Sequence, residues 1–486
     1  MNSTAYAMLL LWPLLALIPF SSLAAHRATA LVVVLGWLLL PNAGINFPGL
    51  PNYTKWTAMA LGLGAGTLIF HAERLATFRL SLVDVPVLLW ILGAIGSSIT
   101  NGYGIYDGMS AAFSRALSWG LPWIAGRIHF RTSKDLEDLL VILVAAALAH
   151  MPLVLWEVRM SPHLHRMVYG FAQHSFAQTQ RGGGWRPMVF TDHGLALSLF
   201  NGCAAVAALA LHRLRPRVAG VPVLAAFFLL AGLTVLCKSM GALFLMVLGI
   251  VLLLVPLSTP AIGVLLSLPV AYMLVRLFQP SMLDDVLNFI GVLSVERMES
   301  LAYRWRCEDL LADIGWRKPW FGVTTRGYAT YDEYGQPTQV VTDSLWIISF
   351  VGFGIFGLVG SIGMFLVSSA RGLFDSVRQG ARTLGGGERG LGVILLLVTA
   401  DCLVNAFATP VWILLAGALC APRTAVAGQP SAQGAAGAAG AAAELAMAAQ
   451  GRLTRREERN RGPGGDAGGR LRSMPLQQER TRERST

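Results

Sequence analysis

Thirteen apolar runs constrain this chain more than any other feature of its sequence. They lie at about 4–25, 28–44, 56–71, 83–99, 109–126, 138–156, 188–211, 219–237, 240–256, 260–278, 342–369, 389–406 and 408–421. A helix that crosses a bilayer needs ~20 mostly apolar residues, and somewhat fewer where it is short. The runs therefore predict an all-α, polytopic membrane bundle of about 12–13 transmembrane helices.

The composition excludes the common soluble classes. Hydrophobic side chains make up 54% of the 486 residues and charged ones 13%, whereas soluble domains carry about 25% charged residues. So little polar surface cannot cover soluble cores of this size, which argues against a soluble enzyme, a DNA-binding protein or a secreted disulfide scaffold. The net charge of +11 does not indicate nucleic acid, because much of the excess lies in short loops, as in membrane proteins.

The positions of the basic residues predict which loops face the cytoplasm. Short loops rich in Arg, Lys or His follow the first, third, fifth, seventh and eleventh runs, at 26–27, 71–79, 127–134, 212–217 and 371–389, and such loops stay inside. Segments 41–55, 100–108, 157–187 and 279–341 are then outside, together with the N-terminus. A cleaved signal peptide ending near Ala24 is the alternative for residues 1–25, but these lack the positive start that such peptides carry.

The chain divides into two regions of different composition. Residues 1–421 hold all the apolar runs and are predicted to form the transmembrane domain. Residues 422–486 consist of Ala/Gly repeats followed by an Arg/Glu/Gly mixture. Such a segment cannot bury a core, so we expect a disordered cytoplasmic tail.

The outer segment 279–341 is the richest in polar side chains. Residues 298–314 have the pattern of a helix, on which Arg304 precedes Glu308 by four positions and Arg306 precedes Asp309 by three. Pairs at these spacings meet on one helix face. They predict two ion pairs, which at a surface contribute under ~1 kcal/mol each. The aromatic and acidic residues that follow fit a sugar-binding surface and an ordinary amphipathic loop equally well.

The other outer segment, 157–187, is also basic. Its end and the residues after it read Arg181-Gly-Gly-Gly-Trp-Arg186-Pro and, further on, Asp192-His193. Glycines let backbone N–H groups approach a phosphate, although a lone glycine run is weak evidence. Three histidines of the segment invite a metal hypothesis, but their spacing lacks the helical pair and the accompanying acids that a metal site needs: His163, His165 and His174.

Two charged residues interrupt the apolar runs near the outer side. They are Arg115 and Asp401, and charges within membrane spans are costly and usually functional. We expect both to lie within about two turns of the outer face, where they would line a common cavity. A direct pair between them is only a guess from the sequence.

Three stretches resemble the O-antigen polymerase and O-antigen ligase family of bacterial envelopes. The first is Trp185-Arg186-Pro187 with His193-Gly194, before a middle helix. The second is Arg304-x-Arg306-x-Glu308 followed by Lys318-Pro319-Trp320-Phe321-Gly322. The third is Thr342-Asp343-Ser344 with Gly354-x-x-Gly357, where the long outer loop returns to the membrane. The likeness spans about 30–420, and detailed motif agreement covers under a fifth of that stretch.

The resemblance implies a reaction at the outer face of the bacterial inner membrane. A sugar hydroxyl attacks a glycan carried on undecaprenyl diphosphate, and the diphosphate leaves, without nucleotide sugar, cofactor or metal. Arginine suits the departing diphosphate because its guanidinium is bidentate and permanently charged; the candidates are Arg186, Arg304, Arg306 and Arg326. A base must accept the hydroxyl proton, and the candidates are Asp343, His193 and Glu308. The implied partners are the lipid-linked oligosaccharide, membrane lipids and other polysaccharide-assembly proteins.

One departure favours a polymerase over a ligase. Ligases of this family carry a His where the chain returns to the membrane, whereas this chain has Asp343. That residue is either a base or a helix cap, since an acid at a helix start bonds the first N–H groups. A ligase and a transporter of lipid-linked sugar remain alternatives, although a transporter should show internal repeats and none is evident.

Overall fold

The chain is an all-α, multi-pass membrane bundle. The computed structural model describes residues 1–49, 51–181, 183–324, 330–331, 337–338, 340, 343–380 and 386–423. Arg326 and the predicted tail beyond Arg423 lie outside the described residues. All the contacts reported below lie within the compact unit Met1–Thr424.

Helices account for most of the described residues. They are α1 (Ser3–Leu15), α2 (Leu17–Ser22), α3 (Ala25–Leu39), α4 (Lys55–Phe70), α5 (Ala72–Leu75), α6 (Val85–Thr100), α7 (Gly104–Arg115), α8 (Leu121–His129), α9 (Ser133–Met160), α10 (Leu164–Tyr169), α11 (Gly194–Leu211), α12 (Val223–Leu236), α13 (Met240–Leu254), α14 (Thr259–Phe278), α15 (Asp284–Leu293), α16 (Val295–Trp316), α17 (Leu345–Arg378), α18 (Gly386–Asp401) and α19 (Pro410–Cys420). A π-helical turn, Ala116–Gly120, joins α7 to α8.

Among the described residues, the strands form four short antiparallel pairs in the loops. They pair β1 (Gly44–Ile45) with β2 (Tyr53–Thr54), β3 (Gln180–Arg181) with β4 (Gly184–Trp185), β5 (Arg217–Val218) with β6 (Val221–Pro222), and β7 (Thr330–Tyr331) with β8 (Pro337–Thr338).

Each of the thirteen apolar runs coincides with a helix or with consecutive helices. Among the described residues, six helical segments are long and apolar enough to cross a membrane: Ser3–Ser22, Leu82–Thr100, Ser133–Met160, Gly194–Leu211, Thr259–Phe278 and Leu345–Arg378. The prediction of a polytopic helical bundle is therefore confirmed. The predicted helix of the outer loop is also present, as the longer α16.

Helix α11 is the centre of the bundle, and α14 lies at its edge. Of the apolar window of α11, 94% is buried, against 22% of the window of α14. Small residues such as Gly202 and Ala205 let α11 pack closely among its neighbours α9, α12, α13 and α18. The residue that precedes α11 therefore lies above the middle of the molecule.

Loops that the charge pattern assigns to the same side of the membrane contact one another at the same end of the bundle. At one end, Arg27 Nη2 lies 2.8 Å from Asp138 Oδ2. At the other, the Asn2 amide donates to the Tyr169 carbonyl (3.1 Å), and Lys55 Nζ lies 2.6 Å from Asp192 Oδ1. We call this second end, which the charge pattern assigns to the outside, the outer end.

Helix α17 is broken at Gly354, and the outer loop enters the break. Gly354 has φ +62° and ψ −156°, a conformation open essentially to glycine alone. Turn 319–324 fills the gap: the Val323 amide donates to the Val351 carbonyl (2.8 Å), and the Ile355 amide donates to the Pro319 carbonyl (2.7 Å). The turn thus supplies partners for backbone groups that the break exposes inside the bundle.

Glycine is also required on the turn itself. Gly322 has φ +68°, and a Cβ there would lie 2.4 Å from the Phe353 nitrogen. A Cβ at Gly354 would lie 2.3 Å from the Trp320 carbonyl carbon. The Lys318–Gly322 motif and the Gly354 motif, which the resemblance singled out separately, are therefore two sides of one junction.

Candidate active site at the outer end

Four segments converge at the outer end above the centre of the bundle. They are the residue before α11, the middle of α16, the start of α17 and the loop between α18 and α19. Arg304 Nη1 donates to the Val404 carbonyl (3.1 Å), and the Leu345 amide donates to the Cys402 and Asn405 carbonyls (3.1 and 3.0 Å). The ring of Phe407 stacks on His193, with centroids 5.5 Å apart. The fold thus brings together motifs that are far apart in sequence.

His193 begins α11 and caps it. Its Nδ1 accepts a hydrogen bond from the Leu195 amide (3.0 Å), which satisfies one of the free N–H groups of a helix start. The edge of its ring meets His174, at 4.6 Å between centroids. The half-buried imidazole therefore has a fixed orientation.

The capping hydrogen bond also determines which ring nitrogen of His193 carries the proton. Burial, followed by the nearby positive groups His174, Arg186, Arg181 and Arg304, lowers the pKa of His193 to about 4, so the ring is neutral near pH 7. Because Nδ1 accepts, the single proton of the neutral ring is on Nε2. In this state Nε2 can only donate a hydrogen bond, and Nδ1 is occupied by the Leu195 amide, so no ring nitrogen is free to accept a proton. The geometry thus favours a neutral donor over the predicted base.

Asp343 and Arg304 form an ion pair at the mouth of the site. Asp343 Oδ2 lies 3.4 Å from Arg304 Nη2, and the two side chains are 38% and 33% exposed. A carboxylate that is neither sealed nor fully solvated remains within reach of a substrate hydroxyl. The structure therefore joins a predicted base to a predicted diphosphate ligand.

The alternative role of Asp343 as a helix cap has no support in the contacts of the described residues. Ser344 occupies the cap position of α17 and makes no side-chain cap bond. Its hydroxyl donates instead to Glu308 Oε1 (2.6 Å). The first amide of the helix, that of Leu345, is satisfied by the loop carbonyls described above, so α17 begins without a carboxylate cap.

Glu308 is buried in a polar network and does not reach the surface. Its side chain is 5% exposed. Oε2 lies 3.3 Å from Arg276 Nε and accepts from the Tyr272 hydroxyl (3.3 Å), while Oε1 accepts from Ser344 and from Trp346 Nε1 (3.3 Å). Burial raises the pKa of Glu308, and the bonds from Ser344 and Arg276 act in the opposite direction. With both oxygens occupied, this carboxylate holds α14, α16 and α17 together.

The two ion pairs predicted within α16 are wrong. Arg276, at the end of α14, takes both acids: it contacts Glu308 as above and Asp309 at 2.6 Å. Arg304 turns to Asp343 instead. Glu308 and Asp309 pair with Arg276 from another helix because Arg276 is itself buried and its charge must be neutralised there.

The remaining predicted arginines divide into three cases. Arg186 packs against Gly194 and donates through Nη2 to the Lys238 carbonyl (3.1 Å), and its charge acts on His193. Arg306 is exposed, about 200° around the helix from Arg304, and so lies away from the converging segments. Arg326 lies outside the described residues.

Other predicted residues have structural roles. His165 bonds at both nitrogens, to the Phe171 carbonyl (2.8 Å) and from the Asn42 amide (3.1 Å). Gly184 gives room to Lys238, whose Nζ a Cβ would meet at 2.2 Å; Gly182 lies outside the described residues. Within the described part of the chain, no group of three or more His, Cys, Asp or Glu is placed to hold a metal.

Arg115 and Asp401 have separate environments. The Arg115 guanidinium lies between Trp90 and Phe353, 4.1 and 3.5 Å from the ring centroids. Asp401 accepts from Asn405 Nδ2 (2.8 Å) and lies below the site. The guessed pair is not among the contacts of these two residues, and the common cavity stays a prediction.

Sequence reasoning missed two cations that support the site. Arg276 anchors Glu308, and Lys55, only 1% exposed, pairs with Asp192 beside His193. A signal existed, because each is a lone cation at the end of an apolar run. Their partners lie on other segments, which residue spacing within one helix cannot reveal.

No protein-family model matches the chain, and a comparison with curated proteins finds no significant match.

Proposed function

We propose that this protein is a membrane glycosyltransferase that polymerises undecaprenyl-diphosphate-linked oligosaccharide repeats at the outer face of the bacterial inner membrane. The observation that supports the proposal is the Arg304–Asp343 pair beside a neutral, oriented His193 above the central helix. This arrangement combines a carboxylate for proton transfer with donors for an anionic leaving group.

The proposed reaction assigns a task to each group. Asp343 accepts the proton of the acceptor hydroxyl as the hydroxyl oxygen bonds to the anomeric carbon. The bond from that carbon to the diphosphate breaks, and its electron pair leaves with the phosphate oxygen. Arg304 and Arg186 stabilise this charge, and His193 donates through Nε2 to a phosphate oxygen. Donors fixed before the reaction stabilise developing charge most effectively.

Arg304 connects substrate binding to the base in this proposal. Without substrate it pairs with Asp343 and occupies one of the carboxylate oxygens. A diphosphate competes for the same guanidinium and carries more charge than a carboxylate. As Arg304 turns to the diphosphate, Asp343 becomes free to bond the acceptor hydroxyl, so the base is released only when the donor is bound.

A complemented deletion strain tests the proposal. Loss of long polymer, with accumulation of single lipid-linked repeats, is the expected phenotype of the deletion, and the wild-type gene should restore chain length. Loss of attachment to a lipid acceptor, with polymer still present, would indicate a ligase. Unchanged polymer with altered solute uptake would indicate a transporter, and either result would overturn the proposal.

A further inference from the structure

A cavity with polar and apolar side chains in its wall lies beside His193 at the outer end and is not used by the reaction described above. Its volume is about 230 Å³, well above the ~10–15 Å³ that one water molecule needs on the same measure. That volume suits one sugar ring with its hydroxyls. The polar and aromatic side chains of its wall are His163, Arg166, Gln173, His174 and Phe176.

The wall combines a stacking surface with hydrogen-bonding groups. The rings of His163 and Phe176 are stacked, 4.8 Å apart and inclined by 20°, and the ring of Trp185 contacts that of Phe176, with centroids 5.1 Å apart. Gln173 Nε2 is bound to the Val189 carbonyl (3.0 Å), which leaves its carbonyl oxygen as an acceptor. Flat apolar faces beside fixed polar groups fit the two kinds of surface of a sugar ring.

The cavity also carries positive charge that no acid compensates. Arg166 has no carboxylate partner among the described residues. The nearby Glu157 is buried and accepts from the Leu164, Met188 and Val189 amides at 3.0, 2.8 and 2.7 Å. The Glu157 carboxylate therefore stabilises the loop conformation and does not pair with Arg166. A free guanidinium at the rim of a sugar-sized cavity selects for an anionic ligand.

The position of the cavity relates it to the reaction centre. His174 lines the cavity and also touches His193. A sugar ring held against the His163–Phe176 pair would thus lie close to His193, at the edge of the reaction centre. We propose that this cavity is an acceptor subsite for an anionic sugar residue, a uronic acid or a phosphorylated sugar, of the glycan. The assignment of the ligand to the acceptor rests on the proposed function.

Direct binding to the full-length protein in nanodiscs tests the subsite. The probes are glucuronate, galacturonate and glucose 6-phosphate, compared with glucose and galactose, measured by saturation-transfer NMR. We expect the anionic probes to bind at least tenfold more tightly than the neutral sugars, and Arg166→Gln to abolish this preference. Arg159→Gln is the matched control, since Arg159 is another exposed arginine of the same outer segment but lies outside the cavity.

Several results would overturn the inference. These are equal binding of anionic and neutral sugars, no binding of any probe, or an anion preference that survives Arg166→Gln in correctly folded protein. Loss of sugar binding when phosphatidylglycerol replaces phosphatidylcholine would assign the cavity to a lipid headgroup instead. Arg166-dependent sugar binding in a protein whose deletion leaves polymer intact would refute the proposed function but not the subsite.

Discussion

Arg304 on α16 pairs with Asp343 at the start of α17, with Nη2 and Oδ2 3.4 Å apart. The long outer loop separates the two residues in sequence, and α16 brings them together by packing on α17. This pair links the group that would bind the donor to the group that would activate the acceptor.

Asp343→Asn should give a stable but nearly inactive protein. The amide keeps the size of the side chain but cannot accept the hydroxyl proton, and loss of a general base costs about 10²–10⁴-fold in rate. Polymer length in the complemented deletion strain, with the amount of protein in the membrane measured in parallel, checks this. Polymer of wild-type length would remove Asp343 from the mechanism.

Arg304→Ala should lower polymerisation more than tenfold, whereas Arg306→Ala should lower it less than twofold. Loss of a charge-assisted bond costs about 1.5–3 kcal/mol, and 1.4 kcal/mol corresponds to a factor of ten in rate. Arg306 is the matched control because it lies on the same helix but faces away from the site. Equal effects of the two substitutions on the polymerisation rate would mean that α16 acts through its structure alone.

Glu308→Ala should destabilise the protein severely. It removes one of the two carboxylates of the buried Arg276 and leaves the Ser344, Trp346 and Tyr272 donors without their acceptor, and breaking a buried ion pair from one side costs about 3–5 kcal/mol. Replacement of both residues by methionine should recover part of the loss, since no buried charge is then left unpaired; Asp309, which also loses Arg276, is 43% exposed. Thermal unfolding in detergent measures these differences. A Glu308→Gln protein that is stable but inactive would contradict the structural role and support Glu308 as the base.

The stability that His193 contributes should depend on pH in a defined window. Its pKa is lowered to about 4 in the folded protein, against 6.5 for a free side chain, so the unfolded chain binds the proton more readily. The stability of the wild type relative to His193→Gln should therefore be constant above pH 6.5 and fall as the pH drops from 6.5 to about 4. Unfolding temperatures at a series of pH values test this. An activity inflection near pH 6.5 that is lost in His193→Gln would instead identify His193 as the base.

Gly354→Ala should disrupt the junction between α17 and the outer loop. The added Cβ would lie 2.3 Å from the Trp320 carbonyl carbon, and the backbone conformation is unfavourable for alanine. We expect a loss of at least ~2 kcal/mol, from strain and overpacking together. Gly263→Ala in α14 is the control, since a Cβ there meets no atom within 4 Å. An unfolding temperature of Gly354→Ala equal to that of the control would refute the junction.

The sequence predicted the helices well because hydrophobicity along a run is a local property. It also identified Asp343, Arg304 and His193 as residues of interest, but not their relations. Residue spacing on one helix suggested that Glu308 pairs with Arg304, whereas burial makes Arg276 the stronger competitor, 32 positions away in sequence. The proton position on His193 depends on a backbone amide, which the sequence does not reveal. Sequence patterns can therefore indicate which residues are candidates, but the protonation and pairing of those residues depend on their tertiary contacts.

The junction at Gly354 also has a consequence for biosynthesis. The Ser97 hydroxyl on α6 donates to the Gly352 carbonyl (2.8 Å), across a separation of 255 residues. At about 5–20 residues per second, the ribosome needs roughly 10–50 s to make the intervening chain. During that time α6 lies in the membrane without its final neighbour. The early half of the protein must therefore persist as an incomplete assembly, open to quality-control proteases, until α17 arrives.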